Sequence, residues 1–181
     1  MRAVPGVRLT MRMIATKAGP SDKYDRLRCV RGDGSETEVA MPRQGTLPHD
    51  LVHAVVESAL GFSDGFIGLV AKGADIGFLS KNFHEYIDPV RHAQGAQAES
   101  AVESLQSQLW SGSFDEEAFR YGLETACAMR GVAAPDLAGI DLRGAMFDRV
   151  QALDAEWRAV PWHREWQLRF PLDRDAEAGM A

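Results

Sequence analysis

The chain has 181 residues, 45% of them hydrophobic and 25% charged, so it can bury a core without disulfides or a structural metal. A net charge of −6 gives it no basic field for nucleic acid. Two cysteines, Cys29 and Cys127, stand far apart in no metal-type spacing and are expected as small buried residues in a reducing compartment.

The opening residues alternate polar and apolar, unlike the apolar core of a leader, and no segment has the length of a membrane span. The expected setting is therefore cytoplasmic. Alternation predicts a strand over residues 7–13, with Leu9, Met11 and Met13 on one side and Arg8, Thr10 and Arg12 on the other. A turn at Gly19-Pro20-Ser21-Asp22 leads to a second strand over 24–30. Gly32-Asp33-Gly34-Ser35 is a hairpin signal, and 36–41 is the third strand. Basic residues cluster in this region (Arg8, Arg12, Arg26, Arg28 and Arg31 among them). Glu36 and Glu38 are expected to face some of them across the sheet, giving a solvated, charge-paired face.

The helices follow. Thr46 as N-cap and Pro48 in the first turn start a helix over 47–60, and Gly61 ends it. Residues 64–72 read as a short buried helix, and 78–95 as loop or short helix, with His84, Glu85 and His92 around Pro89. Ala98, Ala101, Val102, Leu105 and Leu109 mark a helix over 96–110. Ser113 with Glu116 has capping-box spacing and opens a helix running to residue 129. A last helix spans 142–158. In 162–170, Trp166, Leu168 and Phe170 alternate with polar residues as a final strand, and Trp110 and Trp157 are expected to plug the sheet–helix interface. A late strand needs a sheet to join, and only the N-terminal meander offers one. The expected fold is thus a single α+β domain over residues 1–172. Its antiparallel sheet has about four strands, three N-terminal and one C-terminal, packed against several helices. Residues 173–181 form a polar tail.

The chemistry gathers on the first helix. At about 100° per residue, His49, His53, Glu57 and Asp50 fall within roughly 100° of arc, opposite Leu51, Val52, Val55 and Val56. Two histidines four residues apart turn their ring nitrogens toward one point, where a divalent ion fits. Glu57 is the candidate third ligand, and Asp50 the carboxylate that orients an imidazole or activates a bound water. No nucleophile accompanies these residues: Ser58 lies well round the helix, and there is no G-x-S-x-G. The glycines between residues 61 and 77 form neither a P-loop nor a dinucleotide fingerprint, so close packing or turns is their expected use.

The run His49-Asp50-Leu51-Val52-His53 resembles the HExxH helix of the zincin metallopeptidases, with Asp in place of Glu. The resemblance spans five residues. It implies zinc on His49 and His53, with Asp50 in the position of the general base. The Asp carboxylate is one methylene shorter than the family's Glu. Zincins also take their third ligand from further along the chain than Glu57, which makes His84 and Glu85 alternatives. The expected function is a metal-binding protein centred on this helix, zinc being the first candidate ion and metal-dependent hydrolysis the reaction. The alternative is a non-enzymatic interaction or accessory domain in which the His/Asp/Glu patch is structural. The expected partner is a small molecule or another protein, with neither nucleic acid nor membrane involved.

Overall fold

Period-two alternation accounts for the sheet. In the computed structural model, which describes residues 9–173, β1 (Met11–Thr16), β2 (Tyr24–Arg31) and β3 (Glu36–Pro42) form an antiparallel meander, and β4 (Glu165–Phe170) returns to pair with β1. The strand order is β3-β2-β1-β4, the α+β arrangement expected from the sequence. Met11, Met13, Leu27, Cys29, Met41, Leu168 and Phe170 face the core. On the outer face Arg26 pairs with Glu38, and Arg28 lies 3.1 Å from Glu36 and 3.9 Å from Glu165. Exposed pairs of this kind contribute about 0–1 kcal/mol each, so they keep the face wet more than they hold it together.

The first strand is displaced from its expected span. Residues 7 and 8 lie outside the described residues, and the strand continues to Thr16. The run Met13-Ile14-Ala15 hid the alternation. Ile14 takes an outer-face position yet is 3% exposed. It stands opposite Arg28 and Gln167, side chains long enough to cover an apolar neighbour with their stems.

Six α-helices fill the connection between β3 and β4: α1 (His49–Leu60), α2 (Phe66–Ala71), α3 (Ile76–Tyr86), α4 (Ala93–Ser111), α5 (Glu116–Met129) and α6 (Arg149–Ala159), the last continuing directly from a π-helical turn at Arg143–Asp148. Helix α1 is central, touching β3, α2, α4, α6 and the π-helical turn. Its Leu51, Val52, Val55 and Val56 are fully or almost fully buried.

Three boundaries differ from expectation, each for a local reason. Helix α3 stands where a loop or short helix from residue 78 was expected. Its N-cap is Asp75, whose carboxylate accepts from the Phe78 N–H at 2.7 Å. Helix α5 is capped by Asp115, which accepts from the Ala118 N–H at 2.9 Å, in place of Ser113. Helix α1 has no side-chain cap; Pro48 occupies the N-cap position, and the Thr46 hydroxyl donates to the Leu47 carbonyl at 3.3 Å.

Trp157 is buried, with its ring 5.8 Å from that of Trp166, whereas Trp110 is exposed. One residue past Leu109, it has turned off the buried side of α4. His163 lies in a turn before β4, with φ 62°. No helix among the described residues is long and apolar enough to cross a membrane. Apart from Asp173, the tail expected at 173–181 lies outside the described residues.

Candidate metal centre

Helix α1 carries His49, His53 and Glu57 in a row of successive i, i+4 positions. Only its first member, His49, is open to solvent. The row meets α2 and α4, and both His53 and Glu57 are fully buried.

A buried carboxylate needs donors, and α2 supplies them. Glu57 Oε1 accepts from the Ile67 N–H at 3.0 Å, and Oε2 from the Gly68 N–H at 2.9 Å, both in the first turn of α2 where unpaired amides collect. Gly65 makes the approach possible, because a Cβ there would overlap the Glu57 carboxylate. At the other end of α2, Arg31 donates to the carbonyls of Val70 and Ala74 at 2.7 and 2.6 Å. A six-residue helix, too short to persist alone, is thus held between an acid at its start and a base at its end.

His53 links this unit to α4. Its Nδ1–H donates to Glu57 Oε1 at 3.2 Å, and its Nε2–H to Glu99 Oε2 at 3.0 Å. Phe66 and Phe83 stand beside the ring at 5.1 and 6.5 Å between centroids. Burial in these surroundings disfavours the imidazolium, but the hydrogen bonds to Glu57 and Glu99 outweigh it and raise the His53 pKa to about 9. Burial likewise disfavours ionised Glu99. Its bond to His53 and the charges of His53, His49 and Arg130 prevail, lowering the Glu99 pKa to about 2.

His49 repeats the pattern one turn earlier. Its ring lies 4.7 Å from that of His53, its Nδ1 is 3.8 Å from Asp50 Oδ1, and its Nε2 is 4.0 Å from Glu99 Oε1. Each histidine therefore has a carboxylate at its Nδ1 edge and turns Nε2 toward Glu99. One ligand atom from each of His49, His53 and Glu99 lies within 4.8 Å of the others, and this group could hold a metal ion. Donors of a tetrahedral zinc at about 2.0–2.1 Å stand roughly 3.3 Å apart, so coordination requires the three to draw together. His49 and Glu99, with 39% and 18% of their side chains exposed, are the two placed to move.

The expected residues are thus distributed as follows. His49 and His53 lie together. Glu57 is committed to His53 and the start of α2, and the carboxylate between the two Nε2 atoms is Glu99. Asp50 is largely buried beside His49, away from the Nε2 side. His84 and Glu85 are exposed on α3 and are not in the group. Glu99 is 46 positions from His53 in the chain, and no local pattern links them. The available signal was the density of small residues around it: Gly95, Ala96, Ala98, Ser100 and Ala101 are all buried, which lets α4 approach its neighbours closely.

Other nucleophiles are poorly placed. Ser58 donates to the Ala54 carbonyl at 2.6 Å and accepts from the Leu172 N–H at 2.9 Å. Burial, with Asp50 adding to it, pushes the Cys29 thiol up to about 12, and burial raises that of Cys127. Both cysteines are free and buried. Glu99 also lines a cavity of about 180 Å³ with Phe83, His84, Ile87, Pro89, Ala96 and Arg130. Two larger cavities measure about 420 and 550 Å³, and none of the three is lined by His49 or His53.

Comparisons with protein-family models, curated proteins and solved structures gave no match to this chain.

Proposed function

We propose that this protein is a metal-dependent hydrolase that holds one divalent ion, zinc the best fit to its donors, on His49 Nε2, His53 Nε2 and Glu99. The observation that carries the reading is the doubled arrangement of the histidines, each Nε2 toward one shared carboxylate and each Nδ1 toward a carboxylate of its own. Metal-bound histidines characteristically donate their second N–H to a carboxylate, which fixes the tautomer and raises ligand basicity. Glu57 serves His53 in this way. Asp50, at the position the zincin resemblance gives to the base, stands on the Nδ1 side of His49, and we assign it to orienting that ring. Three protein donors, one short of a closed structural site, match the catalytic pattern. A metal so held supplies a Lewis acid and an activated water, and the cavity at Glu99 gives an organic ligand a place beside it.

The test is metal content by plasma mass spectrometry on tag-free protein purified without chelators, with His49→Ala and Glu99→Gln alongside. The expected result is about one equivalent in the wild type and little or no bound metal in each variant, a loss at least as large as the roughly 10–100-fold fall in affinity typical of outer-shell changes. Equal retention in all three would overturn the assignment.

A second reading is favoured by the hydrogen bonds of His53, both of which are already satisfied within the chain. In it, Glu57–His53–Glu99 is a buried charged triad that fastens α1 to α2 and α4, and the protein is a metal-free interaction domain. It predicts no uptake of any ion and a melting temperature indifferent to EDTA.

A further inference from the structure

The cavity at Glu99 combines apolar walls with one cation. Phe83, Ile87, Pro89 and Ala96 supply the apolar surface, Arg130 a positive charge and Glu99 a negative one, and the exposed His84 completes the lining. Arg130 sits at the C-terminal end of α5, close enough to Glu99 for its charge to help keep that carboxylate ionised. Its guanidinium is held lightly. One nitrogen donates to Glu103 at 2.8 Å, and another reaches Ser100 Oγ and the Ala126 carbonyl at 3.4 Å. Glu103 is 62% exposed. An ion pair with so wet a partner is weak and exchangeable, whereas a planar guanidinium suits a carboxylate ligand through two parallel N–H bonds.

Size restricts the ligand further. About 180 Å³ corresponds to roughly six waters at ~30 Å³ each, well below the ~300 Å³ at which drug-sized pockets begin. The cavity is open to solvent on one side, so the limit applies to the part of the ligand that enters it: a short apolar body between an anionic end at Arg130 and a second end toward Glu99. Glu99 alone would repel an anion. A divalent ion on His49, His53 and Glu99 offsets that charge and offers the open coordination position.

We propose that this cavity is the substrate site, and that it takes a small aliphatic carboxylic acid derivative whose carboxylate docks on Arg130 while its other end faces the metal. The inference rests on the metal assignment above. Arg130 is a binding and orienting group here, and the ligand's carboxylate takes the place of Glu103 on the guanidinium.

The test is isothermal titration of the full chain with butyrate, butyramide and inorganic phosphate, on zinc-loaded and EDTA-treated samples whose zinc content is measured in parallel. Zinc-loaded wild type is expected to bind butyrate with a Kd of about millimolar, in keeping with so small a ligand, and to bind butyramide and phosphate at least tenfold more weakly. Arg130→Met is expected to lose tenfold or more toward butyrate while retaining zinc. Glu103→Gln, an exposed change that leaves the fold untouched, is expected to tighten butyrate a few-fold by freeing the guanidinium. If the wild type retains no zinc, the metal assignment and this inference fall together. If zinc is retained but butyrate does not bind, binds as well without zinc, is matched by phosphate or butyramide, or is indifferent to both Arg130 and Glu103, this inference alone is overturned.

Discussion

At the scale of single residues, His49 and His53 separate coordination from folding. His53 is fully buried between two carboxylates, so removing it leaves Glu57 and Glu99 facing each other without a cation. His53→Ala is expected to cost about 3–5 kcal/mol, the range for breaking a buried ion pair from one side. His49 is 39% exposed and stands 3.8 and 4.0 Å from its carboxylate neighbours, beyond hydrogen-bond distance, so His49→Ala is expected to cost under about 1 kcal/mol. Urea denaturation of the metal-free proteins checks both. Comparable losses in the two variants would mean that His49 is as structural as His53. The pair was legible in the sequence because i, i+4 spacing is a local property that survives any tertiary arrangement. Glu99 was not. Only the packing of α4 against α1 brings it near, and a row of small residues says that a helix can come close without saying what it meets. The fate of Glu57 was equally hidden, since a helical wheel sorts polar from apolar without telling wet from dry.

Among the elements, α2 shows most clearly how the site is assembled. Two amides of its first turn bond Glu57, and Arg31 bonds the Val70 carbonyl in its last turn and the Ala74 carbonyl just beyond it, so α1 and β2 complete its two ends. Gly65 sets the distance. Gly65→Ala is expected to force the added methyl into the Glu57 carboxylate and to cost about 1–3 kcal/mol, as overpacking does, with a matching weakening of metal affinity as His53 loses its fixed partner. Thermal unfolding and a competitive zinc titration of the variant measure the two effects. The strands and long helices were readable because their periodicity is strong. Helix α3 was underread for a specific reason: its buried row is Ile76, Leu79 and Phe83, whereas a helix begun at the exposed Phe78 puts the wrong residues inside. Asp75, the cap that would have placed the start, lay just before it. Both cysteines are buried, as their small apolar character suggests, and the outer face of the sheet followed alternation apart from Ile14.

For the whole molecule, Glu57, His53 and Glu99 tie three helices into one core, and their ionisation sets how stability responds to pH. The folded-state pKa of His53 is raised, from 6.5 to about 9. Its contribution is therefore complete below about pH 6.5 and is lost as pH rises through about 9, on the order of 3 kcal/mol at most. Glu99 is lowered to about 2, so its contribution is complete above about pH 4.5 and is lost as pH falls toward 2. Metal-free protein is expected to be most stable between those limits and to weaken from pH 7 to pH 9, as denaturant midpoints would record. Zinc reverses the upper limb. Coordination needs a neutral His53, so binding releases a proton and strengthens as pH rises, and the metal-loaded protein should gain on the metal-free one over that range. Everything rests on whether the two Nε2 atoms and Glu99 close on an ion. Anomalous diffraction at the zinc edge, on crystals of zinc-loaded protein, decides it. The account predicts one strong peak bonded to His49 and His53 nitrogens at about 2.0–2.1 Å and to a Glu99 oxygen at about 2.0–2.2 Å. A map with no peak there, and His53 still hydrogen-bonded between Glu57 and Glu99, would contradict it.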